Sequence, residues 1–406
     1  MKSFMVMKIR NQKTIRDAYK PSRARSSNKL AATPNRIAIC SVGELFGGVE
    51  RHILGILSGL QSRGVATLLI LFFNNELAMQ ARQQGIEPII LSHLNRSLLA
   101  TSRKIAYILE QQQIRLVHVH GYKATVICSL ARYWHSFAMV KTEHGLPESM
   151  AGRPVSALFN RMYHFLDRAA TRLARATVCY VTKDLLAHYR RAHSGLRVMV
   201  ISNGIASIDR TQIQCPPEFC EDGFNLAIIG RVDTVKGHYL AIEAMACNSL
   251  PANLHLHIVG LGPCEQDLQT LAKLRGITHR VHFLGFRRNV YDYIAHCHAL
   301  LIPSLHEGLP YILLEAMALG TPIIASHVGG LAEVLQDNVT ALLVPPNNIE
   351  ALAQAILQLH SDSTLRQRLG KTAQHLQQTH YSLTAMTEHY LAVYRELMLN
   401  AGRSNS

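Results

Sequence analysis

Glu307 and Glu315 stand eight residues apart in the stretch Leu305-His-Glu-Gly-Leu-Pro-Tyr-Ile-Leu-Leu-Glu315. Glu307 closes a loop behind an apolar run, and Glu315 falls about two turns into the helix that the following residues predict. Pro310 suits a first helical turn, where N–H groups lack an intrahelical acceptor and attract anions. Gly308 lets a ligand approach the backbone there. One carboxylate at the mouth and one along the same face can hold two sets of hydroxyls, with a phosphate at the amides between them. The plainer alternative is a pair of solvated glutamates, one capping a helix.

A second stretch, Ile228-Ile-Gly-Arg-Val-Asp-Thr-Val-Lys-Gly-His238, puts Arg231 and Lys236 on either side of a short loop after an apolar strand. A guanidinium fork and a point charge together suit a diphosphate. An ordinary basic surface loop is the alternative for this stretch alone. Both stretches follow a strand's C-terminal end in the same half of the chain, and that shared placement favours the chemical reading. In the other half, Gly43-Glu-Leu-Phe-Gly-Gly48 follows the first strand but has neither G-x-G-x-x-G nor G-K-[ST]. Gly47 and Gly48 still permit backbone approach to phosphate or sugar. His144, in Lys141-Thr-Glu-His-Gly145, ends another strand of that half and can meet a reacting carbon across a cleft. His118 and His120 lie two apart, so they are expected to alternate along a strand rather than share a face. They read as structural or substrate-lining groups, not metal ligands. No D-x-D occurs, which removes the usual carboxylate seat for a metal-held nucleotide diphosphate.

The elements that must position these residues alternate regularly. Short apolar runs at 37–40, 65–73, 88–91, 115–120, 138–142, 177–181 and 197–202 are separated by helical patterns. After a Pro-containing linker at 205–223 the alternation restarts at 225–230 and continues through 254–260, 280–284, 298–302, 321–325 and 341–344. Continuously apolar strands between helices predict parallel sheets covered on both faces. The expected class is therefore α/β, with two Rossmann-like parallel-sheet domains facing a central cleft. Residues 1–35 read as a basic tail, 36–204 as the first domain and 205–382 as the second. A last helix, about 383–399, is assigned to neither half by its pattern alone. It could fold back onto the first.

The chain has 406 residues, 48% of them hydrophobic and 17% charged, enough to fill two cores. Apolar runs stop near nine residues, about half of the ~18–20 that a membrane-spanning helix needs, and Lys8 interrupts any secretory signal. Eight cysteines without a C-x-x-C pair predict buried free thiols of a reducing cytoplasm rather than a disulfide framework or a zinc site. Of the net charge of +15, residues 1–202 hold 29 Lys and Arg against 10 Asp and Glu, while the remainder holds 13 against 17. A basic first half beside a slightly acidic second half points to an anionic surface or substrate, or else to a solvated tail and scatter.

As an ordered set these residues resemble the retaining glycosyltransferases of family four, which have the two-domain GT-B fold. The likeness covers most of residues 36–395. It is densest in Gly230-Arg231, Lys236-Gly237, His257-Ile-Val-Gly-Leu-Gly262, Phe283-Leu-Gly-Phe286, Pro303-Ser304, the Glu307/Glu315 pair and Gly329-Gly330 with Glu333. Gly47-Gly48-Val-Glu50, Thr142-Glu-His-Gly145 and Asn203-Gly204 match more loosely, and residues 1–35 have no counterpart. The resemblance implies a hexose moved from a UDP- or GDP-sugar to a glycan or lipid-linked acceptor, in cell-envelope polysaccharide or lipopolysaccharide synthesis, without metal or other cofactor. It implies that Arg231 and Lys236 grip the diphosphate, Glu307 the transferred sugar and Glu315 the ribose. Gly308 and Leu309 would lie against the phosphates, Phe286 and Arg287 near the base, Gly47 and Gly48 close to the leaving group, and His144 beside the anomeric centre.

Two other function classes compete. Sugar-nucleotide epimerases share the fold but carry a different glutamate and arginine set; phosphorylases add a pyridoxal lysine in a longer chain. A basic binding protein is the third reading. Nucleic acid is not expected, because Phe4 and Tyr19 are the only aromatics of the tail. An anionic membrane is the other partner open to the basic half: Arg161, Arg168, Arg172 and Arg175 recur on one face of the helix expected at 154–174, although a solvated face of a core helix is the favoured reading of that pattern. The expected location is cytoplasmic, peripheral on the inner face of the membrane where that face binds lipid.

Overall fold

A computed structural model describes residues 36–42, 47–91, 97–145 and 154–403. The expected tail at 1–35 and Gly43–Phe46 of the Gly-rich turn lie outside the described residues. Pro34–Ser406 forms one compact unit built on two parallel sheets. The first sheet contains β1 (Ile37–Ser41), β2 (Thr67–Leu71), β3 (Ile89–Ile90), β4 (Leu116–His120), β5 (Ala138–Glu143), β6 (Thr177–Tyr180) and β7 (Val198–Val200). Their spatial order is β3-β2-β1-β4-β5-β6-β7. The second contains β8 (Phe224–Ile229), β9 (Leu254–Val259), β10 (Val281–Gly285), β11 (Ala299–Ile302), β12 (Ile323–Ser326) and β13 (Leu342–Val344), in the order β10-β9-β8-β11-β12-β13. The α/β class with two Rossmann-like parallel-sheet domains is thus the observed one.

Each strand is apolar along its length because helices cover both faces. On the second sheet Leu226, Leu254, Leu256 and Ile258 join one core, while Ala227, Val259, Leu300 and Ile302 face another. Strand order reverses between β1 and β4 and again between β8 and β11. At such switch points the loops after neighbouring strands part and leave a crevice at the carboxyl ends.

Two helices went unread in the sequence. Lys183–Tyr189 is capped by the Thr182 hydroxyl, which accepts from the Leu185 N–H at 3.2 Å, and Ser363–His380 by Asp362, which accepts from the Leu365 N–H at 2.8 Å. The last helix, Leu383–Arg403, packs on the first half: Met386, Tyr390, Leu391 and Tyr394 enter the core of Ile37, Ile53 and Leu57. The chain therefore crosses between halves twice. The crossings are laced together, Ile205 N–H donating to the Tyr381 carbonyl at 3.1 Å and Leu383 N–H to the Ile205 carbonyl at 2.8 Å. The cysteines divide where burial of all was expected. Cys40, Cys128, Cys179 and Cys297 are buried, Cys220, Cys247 and Cys264 half-buried, and Cys215 is exposed; all eight are free.

Candidate active site

The second sheet's switch point carries the first functional group. After β8 the chain turns through a single 3-10 turn, Thr234–Lys236, capped by Asp233, whose carboxylate accepts from the Lys236 N–H at 3.1 Å. Gly237 then adopts φ +70°, and a Cβ there would stand 2.0 Å from the Pro303 carbonyl of the loop after β11. Only glycine allows that turn and that approach together. The approach sets the Lys236 ammonium 2.5 Å from Glu307 Oε1, which also accepts from the Ser304 hydroxyl at 2.9 Å. Beside the pair opens a small hollow, lined in part by Gly230, Lys236, His238, Pro303, Ser304 and Glu307.

Arg231 lies at the same loop, half-exposed, its Nε donating to Asp233 Oδ2 at 2.6 Å. Gly308 follows Glu307 and meets the other half of the molecule: a Cβ on it would lie 2.7 Å from the His144 carbonyl. Leu309 is buried, and the helix Tyr311–Leu319 opens behind Pro310 with its first-turn N–H groups at this end. Glu315 is buried in that helix and ion-paired across the cleft with Arg51. Burial pushes its carboxyl above the ordinary range; Arg51 and the Tyr291 hydroxyl pull the other way. Gly48 opens the helix Gly48–Gln61, where a Cβ would rest 3.8 Å from the Tyr311 ring, and the Gly47 N–H donates to Glu50 Oε2 at 2.9 Å.

Phe286 and Arg287 stand apart from this group, just beyond edge strand β10. Phe286 is exposed. Arg287 Nε donates to the Tyr293 hydroxyl at 3.0 Å, and its Nη2 donates to Glu218 at 3.1 Å.

The facing wall is a buried polar network. The Tyr394 hydroxyl bonds His118 Nδ1 at 2.7 Å, and His118 Nε2 bonds the Thr142 hydroxyl at 2.7 Å. Thr142 meets the Tyr390 hydroxyl at 2.9 Å, which reaches His52 Nε2 at 3.3 Å. His52 Nδ1 donates to Asn203 Oδ1 at 2.9 Å, and Asn203 Nδ2 donates to the Leu309 carbonyl at 2.8 Å. A chain of hydrogen bonds thus runs from the last helix to the loop behind Glu307. Burial holds His52 neutral, its pKa lowered to about 4, and burial and the neighbouring rings hold His118, His120 and His144 well below the usual histidine range.

His144 Nε2 and His120 Nδ1 are 3.0 Å apart. His118 and His120 do share a face, with ring centroids 4.2 Å apart. This corrects the expected alternation, since residues two apart on a strand point the same way. Ring nitrogens of His52, His120 and His144 fall within 4.8 Å of one another, close enough for a metal. Asn203 and Tyr390, however, already occupy both His52 nitrogens. Beneath the histidines Lys141 is buried between Glu143 at 2.6 Å and Asp167 at 2.5 Å, tying β5 to the helix Pro154–Leu173. Burial opposes its charge, and the two carboxylates outweigh that and raise its pKa.

Two adjoining stretches match known families: residues 46–207 fit the model described as "Glycosyltransferase Family 4", and residues 209–376 the one described as "Glycosyl transferases group 1". The chain belongs to glycosyltransferase family 4. Among relatives of this family-4 chain, alpha-D-kanosaminyltransferase of Streptomyces kanamyceticus is 32% identical over 174 residues, covering 42% of this chain and 45% of the relative. The lipopolysaccharide core biosynthesis glycosyltransferase LpsD of Rhizobium meliloti is 30% identical over 223 residues, covering 54% and 63%. The chain spans about half the length of the curated relatives it matches. Among solved structures, Anabaena HepE in complex with UDP aligns with a TM-score of 0.75 at 20% identity, over 89% of this chain and 100% of that one. That likeness makes the family-4 chain's fold a GT-B fold.

The geometry brings together Glu307, Lys236, Gly308, Leu309 and His144, and joins Glu315 to the same cleft through Arg51. Sequence reasoning missed Arg51, His52 and Tyr390, and it named Ser304 only within the Pro303-Ser304 match, without a role. Arg51 and His52 follow Gly47-Gly48-Val-Glu50 directly, and a helix opened by glycines at a strand's end was the signal available for them. Tyr390 had none: it lies 338 residues from its partner His52.

Proposed function

We propose that this family-4 chain is a retaining hexosyltransferase that takes its sugar from a nucleotide-diphosphate sugar and passes it to a glycan or lipid-linked acceptor. We place it in cell-envelope polysaccharide or lipopolysaccharide synthesis. The observation that carries the reading is the Lys236–Glu307 pair at the second sheet's switch point, with His144 packed against the adjoining Gly308. An incoming diphosphate takes the Lys236 ammonium and the Arg231 fork from their carboxylate partners, as charge-assisted bonds to phosphate allow. Glu307, released, accepts from hydroxyls of the sugar, and Glu315 accepts from the ribose in place of Arg51. In the transition state negative charge grows on the departing diphosphate, where the two cations and the helix start at Tyr311 stabilise it. Neutral His144 stands by the anomeric centre as a hydrogen-bonding group. The departing phosphate takes the acceptor's proton, and transfer proceeds without a metal.

A relative named for lipopolysaccharide core synthesis and a fold neighbour crystallised with UDP favour a UDP-sugar and an envelope glycan. No described helix is long and apolar enough to cross a membrane. The helix Pro154–Leu173 exposes Phe165, Leu166 and Leu173 beside exposed Arg168 and Arg172, a face that suits an anionic membrane surface from the cytoplasmic side. Thermal-shift screening against UDP-, GDP- and ADP-sugars tests the donor: a ligand at a hundred times its dissociation constant stabilises by about 2.7 kcal/mol. Release of nucleotide diphosphate only when acceptor is present supports transfer, and conversion of the sugar without acceptor would establish an epimerase instead. Flotation with anionic liposomes at low salt, lost at high salt, is expected of the membrane face; no flotation at either salt rejects it.

A further inference from the structure

The linker between the halves ends in a cluster that the proposed transfer does not use. Cys220 sits in the turn before β8, half-buried and free. His255 is the second residue of β9 and His282 the second of β10, at the opposite end of the strands from the loops that carry Lys236 and Glu307. The thiol and one nitrogen from each imidazole lie within 4.8 Å of one another. His255 Nδ1 and His282 Nε2 are 3.2 Å apart. Two nitrogens bound to one tetrahedral zinc at about 2.0–2.1 Å each stand about 3.3 Å from one another, so this spacing is also the edge of a coordination tetrahedron.

The surroundings fix all three groups. Asn225 holds the Cys220 backbone in both directions, accepting from its N–H at 3.2 Å and donating to its carbonyl at 2.9 Å. The same Asn225 accepts from His257 Nε2 at 2.9 Å, and the His257 ring stacks on His282 with centroids 4.8 Å apart. Gly223 permits the close fit: a Cβ there would lie 2.7 Å from both Cys220 Cβ and the His255 ring. Borderline-soft nitrogen and sulfur donors with an open fourth position suit zinc-class divalent cations and not magnesium or calcium.

We propose that Cys220, His255 and His282 bind a zinc-class divalent cation that fastens the inter-domain linker to the edge of the second sheet. Binding releases the thiol proton, the Cys220 thiolate and two neutral imidazoles become the protein ligands, and water fills the fourth position. Three ligands scattered at 220, 255 and 282 form no short spacing motif, which is why the cysteine pattern alone gave no sign of them.

The test uses the full-length chain stripped with a chelator and titrated with Zn²⁺ against a chromophoric competitor. About one equivalent is expected to bind at micromolar or tighter affinity. Co²⁺ in the same protein is expected to give a thiolate-to-metal charge-transfer band. Cys220→Ser should abolish that band and weaken Zn²⁺ binding at least roughly tenfold; His282→Asn should weaken binding while keeping the band; Cys215→Ser should change neither. On the unaltered protein, Zn²⁺ should slow alkylation of Cys220 and not of Cys215, a measurement that no misfolded variant can confuse. Equal alkylation with and without Zn²⁺ overturns the proposal. Undiminished Zn²⁺ binding in both Cys220→Ser and His282→Asn also overturns it, because the ion is then held by other residues.

Discussion

Across the cleft the second domain offers charges in pairs, Lys236 with Glu307 and Arg231 with Asp233, while the first offers buried neutral rings, His52 and His118 among them held in a chain of hydrogen bonds. The cations of these pairs are partly exposed, Arg231 and Lys236 being 52% and 28% accessible, whereas the side chains of Asp233 and Glu307 are only 14% and 10% accessible. A cation at that exposure can take a phosphate in place of its carboxylate at small cost, and Glu307, left without Lys236, keeps the Ser304 hydroxyl as a donor. The ring network is the reverse, since an orphaned polar group at that depth costs its full desolvation. One wall is suited to changing partners and the other to keeping them.

The sharpest test of that contrast lies under the rings. Lys141→Met leaves the buried Asp167 and the half-buried Glu143 without their cation, and an expected loss of about 3–5 kcal/mol should appear in urea midpoints. A loss within experimental error would mean the fixed wall is not held by this triad. Acid comes next. His52 has a folded pKa of about 4 against 6.5 when exposed, so the unfolded chain binds the extra proton between those values. Its contribution is complete above pH 6.5 and is lost as pH falls toward 4, on the order of 3 kcal/mol, with His118, His120 and His144 adding in the same direction. Melting temperatures should fall steadily from pH 7 to pH 4.5, and a flat profile would contradict the buried neutral rings.

On the changeable wall, Glu307→Gln and Lys236→Ala should each lower turnover by at least about tenfold to a hundredfold with melting temperature nearly unchanged. Full activity of Glu307→Gln on a verified donor would remove that residue from its assigned role. Glu315→Gln should act more weakly, raising the donor's KM with kcat little altered; the opposite split would place Glu315 in the chemical step. Smallest of all, EDTA should leave turnover unchanged, even in protein whose linker cation it removes. Loss of activity with chelator, restored by metal, would overturn metal-free transfer.

The fold was legible because parallel strands buried on both faces are apolar from end to end, as in Ile37–Ser41 and Leu254–Val259. The helix Ser363–His380 was not, because only Leu365, Leu369 and Ala373 with Gly370 and Gln377 form its buried stripe among polar neighbours. In the site, Glu307 and Lys236 could be read because each sits in one continuous strand–loop–helix stretch. Arg51 could not be paired with Glu315 from the sequence, since the two are 264 residues apart and meet only when the domains face each other. Arg287 is a parallel case. The sequence placed it after a strand's end, and no local pattern foretold that Glu218 and Tyr293 engage its guanidinium.

The lacing of Ile205 to Tyr381 and Leu383 has a mechanical consequence. Two covalent tethers emerging side by side act like paired pins on one line: bending about that line is soft, whereas screwing or sliding one lobe past the other strains both at once. In the arrangement so jointed, Gly308 lies so close to the His144 carbonyl that a Cβ on it would stand 2.7 Å away.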